Sequence, residues 1–411
     1  MIHELLVTKF DIFETRKLNA MADEKSSFNE GSILHSTSFR WKRLRNIAST
    51  YFNAINVKKT IPTIQKLSNK YAEHLGSYAS NDMVFDIVPL LQQLTDDIFA
   101  HLIFGDEQAA DQDYLNKMFD AIDAKKNRIE KIFSIICTIF PLLKPIVHWI
   151  NSKLKTNYFF NNQLYKNIAE KIERRKKELK SQKKGTNNQN FTYLDHLLTT
   201  ELLGRDEERE EEREYFYSGR QVTRYLMTNE IVSAMMNMLY AGHKTSARAL
   251  IAVVYSLAKN PAVQKKVFDE EVYNLNEDLT FEMLESLTYL DLVIREALRL
   301  FPLGSEHVAR KCMASTTLGG EIKLEIGNFV MVDVMSLHLN ENLWGPEPEK
   351  FNPDRWLNLQ YKNSTQYLSF GQGPRMCLGE KLAMLKLKIM LVVLLKNFRI
   401  IAVDEEVYLK D

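Results

Sequence analysis

A cysteine that directly precedes a helix-forming stretch has the clearest capacity for chemistry in this sequence. Cys377 lies in the loop FGQGPRMCLG, which begins at Phe370, and the helix-forming segment EKLAMLKLKIML follows at once. The free N–H groups and the dipole at a helix N-terminus favour a thiolate over a thiol. A thiolate is also the form of cysteine that binds metals. The sequence therefore predicts that Cys377 is a metal ligand, with an inert packed cysteine as the alternative.

The residues around Cys377 suit a flat group that carries carboxylates. Gly373 and Gly379 let the backbone approach such a group closely or adopt positive φ angles. Arg375 offers a planar fork of N–H donors that matches a carboxylate. The loop could therefore accommodate a flat cofactor that carries a carboxylate.

Two further motifs precede this loop in the chain. Glu296 and Arg299, in the segment EALR, are three positions apart and share one face of a helix. Arg355 lies in the segment FNPDRW. An isolated pair such as Glu296 and Arg299 is usually an exposed ion pair worth well under ~1 kcal/mol, and that alternative stays open when the pair is taken alone.

Taken together, these motifs resemble the cytochrome P450 family in order and spacing. The loop matches the family's cysteine-ligand loop at every fixed position, and the resemblance extends from about Gly31 to Phe398. It implies a haem b whose iron is bound by the Cys377 thiolate, which promotes O–O cleavage. It also implies that Arg355 joins Glu296 and Arg299 in one buried cluster.

The segment AGHKTS, from Ala241 to Ser246, resembles the family's oxygen-binding segment. The resemblance implies that Thr245 holds dioxygen and relays protons from a local groove in a helix. Lys244 stands where the family normally has an acid, so we expect proton delivery to be impaired. Ala241 replaces the glutamate that esterifies haem in the animal fatty-acid hydroxylase branch, which GHKTS otherwise resembles. Non-covalent haem is therefore expected.

Weaker matches concern the carboxylates of the haem. Trp41 and Arg45, in WKRLR, resemble the family's WxxxR pair, and Arg310, in HVAR, resembles a further propionate-binding arginine. With Arg375, these residues would neutralise both propionates. Each of these matches taken alone is weak, since an exposed arginine is the ordinary case.

Composition and hydropathy limit the partners and the compartment. The 54 Lys and Arg against 53 Asp and Glu give a net charge of +1, so nucleic acid is not expected as a partner. Three scattered cysteines indicate neither a disulfide framework nor a zinc site.

The charged N-terminal residues predict neither a signal peptide nor an anchor. The apolar run from Ile132 to Ile150 contains two prolines, a lysine and a histidine, so it favours interfacial contact with a membrane over a span.

Most of the 411 residues show apolar positions at helical spacings of three and four, for example Glu230 to Lys259 and Pro261 to Leu275. The best strand signal is Glu325 to Leu337. We expect a mainly α fold with a minor β part, in a single cytochrome P450-like domain over residues 1–411. Compared with the family, the N-terminal anchor with the first sheet elements and the C-terminal sheet elements are expected to be missing.

The function that the resemblance implies is a monooxygenase. It would insert one atom of dioxygen into an apolar small molecule such as a fatty acid, a steroid or a xenobiotic, with electrons from NADPH through a reductase, at the cytosolic face of the endoplasmic reticulum membrane. A basic docking face for the reductase is one interpretation of four cations, and a solvated face is the other; these cations are Lys42, Arg43, Lys381 and Lys386. The alternatives are a haem-binding protein with lost or impaired oxygenase activity, and a partial gene product that does not fold.

Overall fold

The computed structural model describes most of the chain, with gaps. The described residues are 1–16, 31–79, 84–105, 132, 135–137, 140–143, 145–147, 149–150, 162–181, 192–207, 215–217, 220–222, 226–304, 308–357 and 365–403. The chain forms two compact units. The first consists of Met1–Phe13, Phe52–Phe99 and Gly242–Asp411, and the second consists of Glu14–Tyr51 and Ala100–Ala241.

Helices dominate the described residues. In chain order they are α1 Ser38–Tyr51, α2 Ala54–Lys59, α3 Ile61–Ala79, α4 Val88–Phe104, α5 Asn162–Ser181, α6 Tyr193–Glu207, α7 Thr228–Lys259, α8 Pro261–Val267, α9 Phe281–Ser286, α10 Thr288–Leu300, α11 Val334–His338, α12 Glu341–Trp344 and α13 Glu380–Asn397. Short π-helical segments cover Glu4–Thr8 and Phe268–Val272, and 3-10 turns cover Pro141–Leu143, Pro353–Leu357 and Gly373–Arg375.

The described strands are two or three residues long. They are β1 Thr15–Arg16, β2 Tyr215–Tyr217, β3 Arg220–Val222, β4 Ala309–Lys311, β5 Thr316–Leu318, β6 Ile322–Leu324 and β7 Phe329–Met331. Three antiparallel pairs form: β2 with β3, β4 with β7, and β5 with β6. In the β4–β7 pair Arg310 lies opposite Val330. The expected mainly α fold with a minor β part is confirmed.

The core of the first unit is built around α13. This helix is buried from Met384 to Leu395, including Lys386 and Lys388 among mostly apolar residues, and it packs against α3, α10 and α9. Helix α10 is amphipathic: its buried residues recur at spacings of three and four, for example Leu290, Val293 and Ala297. These two helices matter for the site, because α13 starts behind the cysteine loop and α10 carries Glu296 and Arg299.

The second unit is held together by buried ion pairs between helices. Arg175 Nε on α5 donates to Asp195 Oδ1 on α6 at 2.7 Å, and Asp195 has a side chain only 1% exposed. Arg43 on α1 forms an ion pair with Glu230 on α7, also largely buried. A buried pair of this kind costs several kcal/mol to break from one side, so these contacts fix how α5 meets α6 and how α1 meets α7.

The helices expected near residues 230–259 and 261–275 are confirmed, whereas the strand expected over 325–337 is confirmed only in its middle part. Only Phe329–Met331 is a strand, and α11 follows at Val334. Asp333 explains the change, because its side chain accepts the backbone N–H of Ser336 at 3.0 Å and caps a helix. In the part of the chain that the structure describes, no helix combines the length and apolar character needed to cross a bilayer.

Candidate functional site: a cysteine loop and a buried ionic cluster

The cysteine loop closes on itself before α13 begins. The N–H of Cys377 donates to the carbonyl of Phe370 at 2.7 Å, and the N–H of Met376 donates to the carbonyl of Gly373 at 2.9 Å. Residues 373–375 form a 3-10 turn, and Gly379 is the N-cap position of α13. The loop therefore holds Cys377 three residues before the first residue of a long buried helix.

Glycines are required in this loop by its backbone. Gly371 and Gly373 have φ angles of +68° and +73°, a region that side chains rarely adopt. A Cβ at Gly373 would also lie 2.1 Å from the carbonyl oxygen of Leu6, so this glycine packs against the N-terminal segment of the chain. At Gly379 an added Cβ would meet no atom within 4 Å, so the backbone beside Cys377 is open on that side.

Cys377 and Arg375 differ in their surroundings although they are two residues apart. Cys377 is exposed, whereas Arg375 is only 2% exposed. The first turn of α13 follows the cysteine, with the N–H of Ala383 donating to the carbonyl of Gly379. An accessible cysteine at a helix N-terminus is in the setting that favours a thiolate ligand.

Arg310 is a further buried guanidinium in this unit. It lies on β4, it is 3% exposed, and its Nη1 donates to the carbonyl of Ala309 at 3.1 Å. Burial lowers the pKa of Arg310 to about 10. An anion placed against a buried guanidinium offsets the cost of its desolvation, so Arg310 is suited to bind a carboxylate.

The AGHKTS segment lies within α7, which is helical throughout. Most of α7 is buried, and its exposed residues are Tyr240, Ala241, Thr245 and Arg248. Lys244 is partly buried. The exposed positions recur at spacings that share one helix face, so the side chain of Thr245 is accessible to a ligand while the opposite face of the helix is packed.

Glu296, Arg299 and Arg355 lie together in one buried cluster. Arg299 donates from Nε and Nη2 to the two oxygens of Glu296, at 2.8 and 2.9 Å. Arg355 Nε donates to Oε1 of Glu296 at 2.9 Å. The Glu296 and Arg299 side chains are fully buried and that of Arg355 is 7% exposed. The alternative of an exposed ion pair is therefore excluded by the geometry.

The remaining donors and acceptors of the cluster are also satisfied. Glu296 accepts the indole N–H of Trp356 at 2.8 Å and the backbone N–H of Asn352 at 3.0 Å. Arg299 donates to the carbonyl of His338, and Arg355 donates to the carbonyl of Trp344, both at 2.6 Å. The carboxylate of Glu296 therefore receives five hydrogen bonds, which fasten α10 to the segment 338–356 that precedes the cysteine loop.

His338 is a residue that sequence reasoning missed. It is fully buried, with Nδ1 2.9 Å from the carbonyl of Arg299 and Nε2 accepting the N–H of Leu368 at 2.9 Å. Since Leu368 donates to Nε2, the ring proton lies on Nδ1 and is donated to Arg299. Burial, chiefly, lowers the pKa of His338 to about 4, so the ring is neutral. His338 thus links α10 to the start of the cysteine loop, and no sequence pattern distinguished it.

The remaining predicted residues lie in the second unit. Trp41 and Arg45 are on α1, one turn apart and therefore on the same face. Trp41 is 4% exposed and Arg45 is partly buried. Both are thus placed on one helix, as the WxxxR spacing requires.

Both interpretations of the four cations, a basic docking face and a solvated face, are wrong for two of them. Arg43 is buried against Glu230, with 8% of its side chain exposed. Lys386 is 4% exposed inside the first unit, because α13 is buried on all sides. Lys42 and Lys381 are exposed, so only these two can contact a partner.

These residues fit the haem that the family resemblance implies. A haem needs an accessible axial ligand, and Cys377 supplies a soft sulfur donor next to backbone that is open at Gly379. It also carries two carboxylates, and Arg310 and Arg375 supply buried guanidinium groups of the kind that bind them.

Comparison with known proteins points to the same family. The sequence model named Cytochrome P450 matches residues 1–409. Similar proteins from Caenorhabditis elegans are cytochrome P450 CYP13A2, CYP13A1 and CYP13A3, each 31% identical to this chain. Each match covers 97% of this chain and 77% of the relative. The chain belongs to the cytochrome P450 family.

Proposed function

We propose that this chain is a haem-thiolate monooxygenase that inserts one atom of dioxygen into an apolar small molecule. Family membership supports the haem-dependent oxidoreductase chemistry. The observation that carries the proposal is the accessible Cys377 at the start of α13, beside open backbone at Gly379. Electrons are proposed to come from NADPH through a reductase.

Each side chain of the site has a definite part in this proposal. Cys377 ligates the iron as thiolate, and the bound haem supplies the oxygen chemistry that no side chain can perform. Arg375 and Arg310 bind the propionates and hold the plane of the haem in place. Thr245 presents a hydroxyl on the exposed face of α7 that can hold and pass a proton.

The experiment replaces Cys377 by Ser in the purified protein reconstituted with haem. The absorption spectrum of the reduced CO complex should lose its thiolate character, because a hydroxyl does not replace the sulfur ligand. Cys312→Ser is the matched control, since Cys312 is buried in an apolar cluster and its thiol donates to the carbonyl of Ala314. A thiolate spectrum that survives Cys377→Ser, or is lost only in the control, contradicts the proposal.

A second candidate is a haem-binding protein with impaired oxygenase activity. The observation that favours it is Lys244, partly buried beside Thr245. At neutral pH an ammonium group releases a proton far less readily than a carboxylic acid, and general acids are typically worth ~10²–10⁴ in rate. Slow turnover with poor coupling of NADPH to product is therefore expected for the wild-type chain.

Lys244→Asp separates the two candidates. If Lys244 impairs proton delivery, this variant forms more product for each NADPH consumed, with any apolar substrate that is accepted. Lys244→Met is the control, because it removes the charge without adding a proton donor. If Lys244→Asp lowers both the rate and the coupling, Lys244 takes part in proton delivery and the second candidate fails.

The substrate is proposed to be a fatty acid, a steroid or a xenobiotic, reached from the surface of the endoplasmic reticulum membrane. Support for membrane contact comes from apolar side chains between residues 132 and 150 that are strongly exposed, for example Leu142 at 93% and Trp149 at 63%. Apolar side chains of this kind insert at the boundary of headgroups and acyl chains. The neighbouring residues of this apolar run lie partly outside the described residues.

Flotation with liposomes tests the membrane contact. Changing both Phe140 and Leu143 to Asp should shift the protein from the floating to the soluble fraction. The control changes Ile55 and Val84 to Asp, because both are exposed apolar residues of another part of the chain. An unchanged floating fraction in the Phe140 and Leu143 variant contradicts membrane contact through this segment.

A further inference from the structure

A second group of buried ionisable residues lies in the first unit, away from the Glu296 cluster. Nδ1 of His243 on α7 lies 2.5 Å from Oδ1 of Asp96 on α4. His243 is 1% exposed, Asp96 is 8% exposed, and Lys386 on α13 is 4% exposed. The two atoms lie within hydrogen-bond distance of each other, and both side chains are buried.

The packing of the Phe99 ring of α4 directly on Gly242 of α7 explains why this pair forms. A Cβ at Gly242 would lie 1.9 Å from the ring of Phe99, so a glycine at this position leaves the space that the ring occupies against α7. Asp96 is one helical turn before Phe99 and therefore lies on the same face of α4. The glycine contact thus places the Asp96 carboxylate against the residue that follows Gly242, which is His243.

Lys386 is the third member of this group. Among the described residues, no carboxylate lies within 4 Å of its amine. Burial lowers the pKa of Lys386 to about 8, and the charge of Asp96 acts against that effect. The amine and the carboxylate therefore influence each other electrostatically without direct contact.

The neighbouring carboxylate has its own donor. Asp97 Oδ2 accepts the hydroxyl of Tyr71 on α3 at 2.6 Å. Burial, chiefly, raises the pKa of this tyrosine, so it remains a donor. The charged and titratable groups around Asp96 are therefore His243, Lys386, Asp97 and Tyr71, contributed by α7, α13, α4 and α3.

The position of His243 on α7 determines what it can do. Residues two positions apart in an α-helix are rotated by about 200° about the helix axis, so His243 and Thr245 point to opposite sides of α7. His243 is buried and Thr245 is exposed, in agreement with this spacing. His243 therefore cannot touch a ligand beside Thr245, and it can act on that ligand only through the helix.

We propose that His243 is a positioning residue of the turn of α7 formed by residues 241–246, which carries Thr245. Its bond to Asp96 fixes the position of Lys244 and Thr245 relative to α4, while Lys386 on α13 acts on the same carboxylate through its charge alone. The inference rests on the proposed function, because the position of Thr245 matters only if a haem and its substrate lie between that turn and the cysteine loop. A small displacement of a positioned group lowers the rate of reaction strongly.

The test uses haem-loaded protein with His243→Leu, His243→Gln and Asp96→Asn. His243→Leu should keep its haem content and its reduced CO spectrum, since Cys377 ligation does not depend on His243. Its kcat should fall about tenfold with KM unchanged, and its backbone amides near residues 240–247 should exchange with solvent faster. His243→Gln, which keeps an N–H donor, should recover most of the kcat.

A control variant and a double variant complete the test. His74→Leu, at an exposed histidine of α3, controls for the substitution itself and should leave every measurement unchanged. The double variant with His243→Leu and Asp96→Asn should lose no more kcat than the worse single variant, because both remove one interaction. Additive losses, or an unchanged kcat and amide exchange in His243→Leu, overturn the inference. Absence of a thiolate spectrum in the wild-type protein instead overturns the proposed function.

Discussion

Two buried ionic clusters in the same unit are built in opposite ways. Around Glu296, one carboxylate receives five hydrogen bonds, two of them from Arg299, and the other guanidinium protons bind carbonyl oxygens. Around Asp96, one short bond to His243 is accompanied by the buried amine of Lys386, which has no carboxylate within 4 Å among the described residues.

The difference shows what each cluster can contribute. A buried charge whose hydrogen bonds are all satisfied is held in one geometry, and removing one partner leaves the others uncompensated. A buried charge without a direct partner destabilises the folded state, so its removal should increase the free energy of unfolding. The Glu296 cluster therefore fixes the structure, whereas the Asp96 cluster is sensitive to pH and to the position of α7.

The largest expected effect is the loss of Glu296. Glu296→Ala leaves Arg299 and Arg355 buried without their shared carboxylate, and we expect a loss of ~3–5 kcal/mol in the free energy of unfolding. Urea unfolding measures this loss, and haem quantification measures how much cofactor the variant retains. Glu285→Ala, at an exposed glutamate of α9, is the control. A wild-type free energy of unfolding and haem content in Glu296→Ala would show that the cluster does not stabilise the fold.

A smaller loss of stability is expected at low pH, because the neutral ring of His338, which is hydrogen-bonded to the carbonyl of Arg299, must take up a proton. Its pKa is lowered from 6.5 to about 4. Below pH 6.5 the unfolded chain takes up a proton that the folded chain refuses, so stability is lost as the pH falls from 6.5 to 4, by about 3 kcal/mol. His338→Gln should lose less stability over this interval. An identical pH dependence in this variant would assign the acid sensitivity to other groups.

Lys386→Met should raise the free energy of unfolding, whereas Glu296→Ala should lower it. The pKa of Lys386 is lowered from 10.5 to about 8, so the wild-type protein gains stability as the pH rises from 8 to 10.5. At pH 7 the variant should be more stable by ~1–3 kcal/mol, and the pH dependence above 8 should flatten.

The matched control for this prediction is Lys388→Met. Lys388 is also buried on α13, but its amine donates to the carbonyl of Leu284 at 3.1 Å and lies 3.5 Å from Asp291. Its replacement should therefore destabilise the protein. If both variants shift stability in the same direction, direct partners do not explain the difference between the two lysines.

The smallest effect is expected at an exposed ion pair beside the Glu296 cluster. Asp354, next to Arg355 in the chain, binds the amine of Lys266 at 3.1 Å, and both side chains are more than a third exposed. Asp354→Asn should cost less than about 1 kcal/mol, and 1 M salt should remove the difference. A loss as large as that of Glu296→Ala would show that burial is not what separates strong from weak pairs here.

The spacing of motifs was sufficient to predict several parts of the site. Glycines with positive φ, a cysteine before a helix, and two charges three residues apart are local patterns, and local sterics and helix geometry produce them wherever they occur. The long helix α7 and the mainly α fold followed from periodicity for the same reason.

What only the tertiary structure decided is which polar residues are buried and with what partner. Asp96 and His243 are separated by 147 residues, and nothing in the sequence near either one indicates the other. Lys386 was interpreted as a surface cation, because an isolated lysine is ordinarily exposed. It is buried because α13 is surrounded by other helices, and the cost of burying a charge depends on every element packed around it. That environment exists only after the chain has folded.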